Sequence, residues 1–124
     1  MASDGMMHIG ELADRTGLSL RTLRHWDEVG LVPPSGRSEG GFRLYSPTDE
    51  QRVILIRRMK PLGFSLEEMA ELLRAMDASP SDPMAGLPAD RAEHFRREGR
   101  ERRERIARTL AGADEFLELI APRP

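Results

Sequence analysis

Cysteine is absent from the 124-residue sequence, which excludes disulfides, thiolate catalysis, iron–sulfur clusters and cysteine-based metal sites. Aromatic residues make up only 5%, so we expect no long apolar groove for a large ligand within one copy. No apolar run approaches the roughly 18 residues that a membrane span needs, so no membrane partner is expected. A chain without cysteine fits a reducing compartment, and we expect a cytoplasmic protein.

Lysine is almost absent as well, since Lys60 is the one lysine beside 18 arginines. Arginine presents a planar fork that suits phosphates and guanine edges, although a GC-rich genome also explains its abundance. The formal net charge of −2 argues against a protein that coats nucleic acid. However, residues 15–60 hold nine basic and five acidic residues, a charge of +4, whereas the segments before and after them carry −3 each. This distribution predicts a polyanion-binding face in the central segment.

A helix-turn-helix is predicted near the start of the chain. Residues 1–7 are mostly small or polar and are expected to form a flexible arm. Ile9, Leu12 and Ala13 then recur at helical spacing. Gly17 ends this run as a left-handed residue would, and Ser19 offers an N-cap for a second helix. A helix, a tight turn with glycine and a second helix make up the helix-turn-helix pattern.

The second predicted helix, about residues 20–29, has two distinct faces at 100° per residue. Its apolar face carries Leu20, Leu23 and Trp26. Its opposite face is cationic and carries Arg21, Arg24 and His25. Asp27 lies at the edge of the apolar face, where a carboxylate needs a partner. The pattern predicts a helix that packs with one face and binds an external partner with the other.

A β-hairpin is predicted between residues 31 and 45. Strand-like runs at 31–34 and 42–45 flank a glycine-rich tip. Along the second run the side chains alternate, with Phe42 and Leu44 on one side and Arg43 and Tyr45 on the other. One pair can therefore pack while the other faces out, and we expect Phe42 to pack.

Two further helices follow, each with a start signal. Ser46-Pro47-Thr48-Asp49 combines a cap, a proline at the first position and an acid at the third. Residues 65–68 form a capping box that opens the next helix. The predicted buried stripes of the two helices are Val53, Ile56 and Met59, and then Leu66, Met69, Leu72, Leu73 and Met76.

The last third of the chain predicts a linker and one long helix. Residues 77–88 contain three prolines and are expected to be a linker. Residues 89–120 lack proline, and a helix of this length spans roughly 48 Å, followed by a tail at 121–124. One helix cannot bury its own apolar stripe, so pairing with a second copy is the simplest solution, although Gly99 would weaken or bend it. The predicted dimerisation residues are Phe95, Ile106, Leu110, Ala113, Phe116, Leu117 and Ile120.

Residues 8–76 resemble the MerR family of transcription regulators. Six blocks occur in the family's order, namely IGELA at 9–13, TGLS at 16–19, RTLR at 21–24, DEVGL at 27–31, GGFRLYS at 40–46 and LGFSLEE at 62–68. The resemblance implies a mainly α protein, a winged helix-turn-helix with a small β-hairpin wing and a long C-terminal dimerisation helix. It implies that the dimer is joined by an antiparallel coiled coil of these helices.

The resemblance also implies a function. Two copies would place their recognition helices in successive major grooves of a pseudo-palindrome in double-stranded promoter DNA. Family members bend and untwist such DNA so that RNA polymerase engages both promoter elements, which spends binding energy on deformation. The chain is therefore expected to be a bacterial DNA-binding regulator and not an enzyme, with no cofactor and no metal.

The DNA-contacting residues are carried over from the family's motifs position by position. They are Ser19, Arg21, Thr22, Arg24, His25, Arg37, Arg43, Tyr45, Arg57, Arg58 and Lys60. One departure stands out, because the family has two tyrosines after Arg-Thr-Leu-Arg where this chain has His25 and Trp26. We expect Trp26 to pack in the core and His25 to replace a tyrosine contact to phosphate, which would make binding sensitive to pH.

The sequence leaves the signal and one alternative function open. Metal-sensing and redox-sensing relatives use cysteines, which this chain lacks. The remaining effectors are a small apolar ligand or a protein partner, or there is no effector. The alternative function is a protein-interaction module that recruits a partner through the coiled coil, with DNA binding secondary. An enzyme is disfavoured, because no nucleophile–base pair or phosphate-binding glycine loop is present.

Overall fold

The computed structural model describes residues 5–124, which form two compact units. One unit ends at Arg74 and the other begins at Ala75. The structure is mostly helical, with one small antiparallel sheet of three strands and a long C-terminal helix. This confirms the predicted mainly α class with a winged helix-turn-helix.

The elements of the first unit follow the predicted order. They are β1 (Met7–His8), α1 (Ile9–Thr16), α2 (Leu20–Glu28), β2 (Gly36–Arg37), β3 (Arg43–Tyr45) and α3 (Pro47–Met59), then a 3-10 turn (Lys60–Leu62) and α4 (Leu66–Ala78), whose last four residues belong to the second unit.

The turn between α1 and α2 is built as the sequence predicts. Gly17 has φ of 73°, in the left-handed region, and its N–H donates to the Ala13 carbonyl. Glycine reaches this backbone conformation without the strain that a side chain would add. The Ser19 hydroxyl oxygen then accepts the Thr22 N–H at 3.1 Å and caps α2. These two devices fix where α1 ends and where α2 begins.

The sheet has the order β1-β3-β2 and differs from the prediction at both edges. The second strand is Gly36–Arg37 and not residues 31–34, because Pro33 and Pro34 have no N–H to donate to a neighbouring strand. Met7, predicted to lie in a flexible arm, pairs with Tyr45 and is buried. Residues 1–4 of that predicted arm lie outside the described residues.

The two faces of β3 are oriented opposite to what we expected for its aromatic residues. Phe42, just before the strand, is 66% exposed, whereas Tyr45 is 1% exposed. Alternation along a strand separates two faces but does not state which faces inward. Tyr45 is held in the core by its pairing with Met7, and its hydroxyl has no hydrogen-bond partner in the described part of the chain.

Both predicted helix starts after the wing are confirmed by their hydrogen bonds. The Ser46 hydroxyl accepts the Asp49 N–H, and the Asp49 carboxylate accepts the Ser46 N–H, which makes a complete capping box. Ser65 and Glu68 exchange the same pair of bonds at the start of α4. The buried Asp49 carboxylate also accepts the Ser35 hydroxyl at 2.5 Å, so this acid is stabilised by two donors.

Arginine side chains tie α1 to α3. Arg15 donates to the Glu50 carboxylate at 2.9 Å, and Arg57 donates to the Thr16 carbonyl at 2.6 Å. Glu50 is nearly buried, so the pair with Arg15 offsets the cost of removing a carboxylate from water. The Thr16 carbonyl lies at the end of α1, where helix carbonyls lack partners within the helix.

The second unit contains the long helix. A 3-10 turn at Pro83–Gly86 precedes α5 (Ala89–Ile120), which has 32 residues and continues through Gly99 without interruption. Ala92 and Phe95 are buried, whereas residues 103–120 are exposed apart from the partly buried Ala107. Among residues 5–124, no helix is long and apolar enough to cross a membrane.

Replacing Tyr45 by phenylalanine is expected to stabilise the fold by about 1 kcal/mol, because it removes a buried hydroxyl without a hydrogen bond. Burial, and after it the negative charge of Asp27, raise the pKa of the Tyr45 phenol. The neutral phenol is therefore favoured in the folded state, and its contribution is lost as pH rises above about 10. Urea unfolding at pH 7 and above pH 10 measures both effects. Lower stability of Tyr45→Phe at both pH values would contradict the expectation.

Candidate nucleic-acid interface

The outward face of α2 is cationic and open. Arg21, Arg24, His25 and Glu28 are exposed and line one shallow depression. In the described part of the chain, neither Arg21 nor Arg24 is engaged in an ion pair or a side-chain hydrogen bond. Their guanidinium groups therefore keep all their donors for an external acceptor such as phosphate or a guanine edge.

The start of α2 presents two hydroxyl groups beside this cationic face. The Ser19 hydroxyl is exposed and donates to the Thr22 hydroxyl at 2.9 Å, while it accepts the Thr22 N–H. Because the N-terminal end of a helix carries unpaired N–H groups and a partial positive charge, it favours a phosphate oxygen. The structure therefore brings Ser19 and Thr22 to the same end of α2 as Arg21.

The inward face of α2 packs as the periodicity predicts at Leu23 and Trp26 but not at Leu20, which is exposed. Leu23 and Trp26 are 2% and 4% exposed, and Leu20, the first residue of the helix, is 38% exposed. The Lys60 ammonium lies 5.9 Å from the centre of the Trp26 ring, within reach of a cation–π interaction. Trp26 therefore anchors α2 to the core and also interacts with the Lys60 ammonium.

The wing is attached to α2 by the partner that Asp27 was expected to need. The Asp27 carboxylate accepts the Arg43 Nε–H at 2.7 Å, and Arg37 Nη2 lies 3.9 Å from the same oxygen. This hydrogen bond raises the pKa of the Arg43 guanidinium. Arg37 also donates to the Gly41 carbonyl across the tip of the hairpin. Arg43 is thus oriented by a hydrogen bond from α2, whereas Arg37 is bonded within the hairpin and lies close to the same carboxylate.

The three cations near the end of α3 differ in their surroundings. Arg57 is bound to the end of α1 through the Thr16 carbonyl, and Lys60 lies over Trp26. Arg58 is exposed and has no hydrogen bond or ion pair in the described part of the chain. Arg58 is therefore the one of these three with no competing role in the fold.

The structure differs from the predicted site at two residues. Tyr45, predicted to contact DNA, is buried, so its side chain cannot reach an external phosphate in this conformation. Glu28 was absent from the predicted site, yet it lies beside Arg21, Arg24 and His25 on α2. Its position four residues after Arg24 is the sequence signal that could have found it, because residues at this spacing share a helix face.

The long helix carries an exposed apolar stripe. Leu110, Leu117 and Ile120 are 57–61% exposed, and Ile106 and Ala113 are exposed on the same side. Phe116 flanks this stripe and is also exposed. Phe95 differs from the prediction, because it is buried in the single chain and the Arg91 guanidinium lies over its ring. Phe95 therefore does not belong to the exposed stripe.

No group of three potential metal ligands occurs within residues 5–124. The arrangement of the first unit instead combines a cationic recognition helix, a helix N-terminus with hydroxyl groups and a basic wing. These features, on a helix-turn-helix followed by a hairpin, define a winged helix-turn-helix DNA-binding protein.

Comparison with known sequences identifies the family within this class. Residues 7–76 match the family described as MerR HTH family regulatory protein, and residues 50–114 match the family described as MerR, DNA binding. The chain belongs to the MerR family of DNA-binding transcription regulators. This is a non-enzymatic class of proteins.

The curated relatives match somewhat more than half of this chain. The mercuric resistance operon regulatory protein of Bacillus cereus is 44% identical over 69 residues, which cover 56% of this chain and 52% of that protein. The HTH-type transcriptional activator TipA of Streptomyces coelicolor is 43% identical over 79 residues, which cover 64% of this chain and 30% of TipA. The chain thus spans about half or less of the length of these relatives.

Solved structures match over nearly the whole chain. A MerR-family regulator from Bacillus cereus is 31% identical with a TM-score of 0.60, covering 96% of this chain and 87% of that one. HiNmlR, a MerR family regulator lacking the sensor domain and bound to promoter DNA, is 25% identical with a TM-score of 0.67. That likeness covers 94% of this chain and 88% of HiNmlR.

The neighbouring arginines of α3 allow a matched test of the structural role of Arg57, with Arg58 as the control. Arg57→Ala removes a donor from the end of α1 and is expected to destabilise the protein by about 1 kcal/mol. Arg58→Ala is expected to change stability by less than about 0.5 kcal/mol, as an exposed surface substitution does. Thermal or urea unfolding of the two variants measures the difference. Equal effects of the two substitutions would show that the Arg57 hydrogen bond has no role in stability.

Proposed function

We propose that the protein acts as a homodimer on promoter DNA, where it distorts the duplex and controls initiation by RNA polymerase. The observation that carries this proposal is the cationic face of α2, whose Arg21 and Arg24 have no partner in the described chain. Arginines without internal partners on a helix that fits the major groove are suited to guanine edges and phosphates.

The proposed contacts divide into two groups by position. We propose that Arg21, Arg24 and Thr22 on α2 read bases, and that His25 and Ser19 hold phosphate beside them. The wing residues Arg37 and Arg43, together with Arg57, Arg58 and Lys60 near the end of α3, supply further phosphate contacts. A set of this kind gives binding that weakens steeply with salt, because each neutralised phosphate releases counterions.

The apolar stripe of α5 supports the homodimer. Its members recur every three or four residues from Ile106 to Ile120, which is the spacing of a coiled-coil seam. Most of these side chains are more than half exposed in the single chain. A second copy offers the same stripe, so we propose that two α5 helices pair in an antiparallel coiled coil through residues 106–120.

Control of RNA polymerase is proposed from the relatives. HiNmlR is a MerR-family regulator bound to promoter DNA, and TipA is a transcriptional activator. A dimer with two α2 helices fits a pseudo-palindrome whose half-sites lie about 34 Å apart. Energy that the arginine contacts provide can then be spent on bending and untwisting the DNA between them.

The proposed cellular location follows from the DNA that the protein would bind. A promoter-binding protein acts where the DNA lies, so we propose that the protein works in the bacterial cytoplasm. Within residues 5–124 there is no cluster of potential metal ligands, and the sequence has no cysteine. Thiolates of this chain therefore hold no metal effector, and we propose that an effector, if there is one, is a small apolar molecule or a protein.

A DNA-binding experiment tests the cationic face of α2. Wild-type protein is used to select a duplex from a random-sequence pool, and affinities are measured by fluorescence anisotropy at several salt concentrations. Arg21→Ala and Arg24→Ala are each expected to weaken binding to the selected duplex by about 1–3 kcal/mol. Arg123→Ala removes the same charge from the C-terminal tail and serves as the control. Unchanged affinity in both α2 variants would overturn the assignment of this face.

A mass measurement in solution tests the proposed seam. Leu117→Glu places a charge in the stripe and is expected to convert the dimer to a monomer, because an uncompensated charge is costly in an apolar interface. Leu119→Glu changes the same residue type on the opposite side of α5 and is expected to leave the dimer intact. Light scattering after size exclusion gives both masses. A monomeric wild-type protein would favour the alternative function, in which the stripe binds a different protein.

A further inference from the structure

Asp27 occupies an unusual position for an acidic residue in a DNA-binding surface. Its carboxylate lies between the recognition helix and the wing and is only 15% exposed. A negative charge at this place repels phosphate, so charge alone predicts that Asp27 weakens DNA binding. The contacts of the carboxylate indicate what offsets that repulsion.

The wing brings two arginines directly opposite each other. Arg37 on β2 and Arg43 on β3 are register partners in the antiparallel pair, and like charges at such positions destabilise a sheet. The Asp27 carboxylate oxygen accepts Arg43 Nε–H at 2.7 Å and lies 3.9 Å from Arg37 Nη2. One acid from α2 therefore offsets this repulsion: it holds Arg43 by a hydrogen bond and attracts the 52% exposed Arg37 as an ion pair.

The bond from Asp27 leaves most of the Arg43 guanidinium available. In the described part of the chain, Nε is the only nitrogen of Arg43 that makes a side-chain hydrogen bond. The four N–H groups on Nη1 and Nη2 remain for an external acceptor, and the side chain is 25% exposed. Arginine can thus be held from one side while it donates to a phosphate from another, which a lysine ammonium does with less directional control.

We propose that Asp27 is a positioning residue that sets the specificity of DNA recognition. It holds Arg43 and Arg37 at a fixed position relative to Arg21 and Arg24. Base contacts by α2 and phosphate contacts by the wing then form together only on DNA whose shape matches that arrangement. The inference rests on the proposed contact between wing and DNA. It predicts opposite effects of removing the carboxylate on specific and on non-specific DNA.

Asp27→Asn tests this prediction, with Asp14→Asn as the matched control. Both substitutions change aspartate to asparagine and remove one negative charge, but Asp14 is exposed on α1 and contacts neither wing arginine. Affinity is measured for the duplex selected by wild-type protein and for a scrambled duplex of the same composition. Asp27→Asn is expected to weaken binding to the selected duplex about tenfold and to maintain or strengthen binding to the scrambled one. Asp14→Asn is expected to leave the ratio of the two affinities unchanged.

The outcomes separate this inference from the proposed function. If wild-type protein binds both duplexes equally, the proposed function fails and the inference fails with it. If wild-type protein is specific but Asp27→Asn shifts both affinities in parallel, as is expected of Asp14→Asn, only the inference is overturned. Because Asp27→Asn could unfold the unit, Arg43→Lys provides a second test. It keeps the charge and is expected to lose about tenfold on the selected duplex, and wild-type affinity would overturn the inference.

Discussion

The hydrogen-bonded ion pair between Asp27 and Arg43 is the interaction on which the DNA-binding face depends. α2 has nine residues, too few for a helix to persist alone in water. The wing strands have two and three residues, and an isolated hairpin of that size is not stable either. The 2.7 Å contact joins these two weak elements where both side chains are at least three-quarters buried. Hydrogen bonds to charged groups contribute about 1.5–3 kcal/mol, which is a large fraction of the stability of a small unit.

The arginine-rich composition serves the fold as well as the DNA-binding surface. Arg15, Arg43 and Arg57 each donate to an acceptor within the first unit, on Glu50, Asp27 and the end of α1 respectively. Arg21 and Arg24 have no such acceptor in the described chain. The number of arginines therefore does not measure the size of the DNA interface. An arginine side chain has five N–H donors in a rigid fork. It can therefore bond within the fold and still offer its other N–H groups to DNA.

The sequence predicts the helices better than the sheet, for a physical reason. Helix starts are local, so Ser19, the Ser46 capping box and the one at Ser65 could each be identified from a few adjacent residues. Strands of two or three residues are defined by their partners across the sheet, and β1 at Met7–His8 exists because it pairs with β3. Alternation separated Phe42 from Tyr45 but could not state which one is buried. The need of Asp27 for a partner was predicted from its place on α2, whereas its identity as Arg43 depends on the tertiary fold.

The long helix shows how burial within one chain separates apolar residues that periodicity treats alike. Phe95 is 6% exposed, whereas Leu110, Leu117 and Ile120 are 57–61% exposed. Full burial of such a side chain is worth about 1.5–3 kcal/mol, and contiguous apolar patches of this kind mark interaction surfaces. Burial of the α5 stripe against a partner surface is therefore energetically favourable. Because every copy of the chain carries the same stripe, self-association can bury it without any other protein. The fraction of dimer then depends on the concentration of the protein itself.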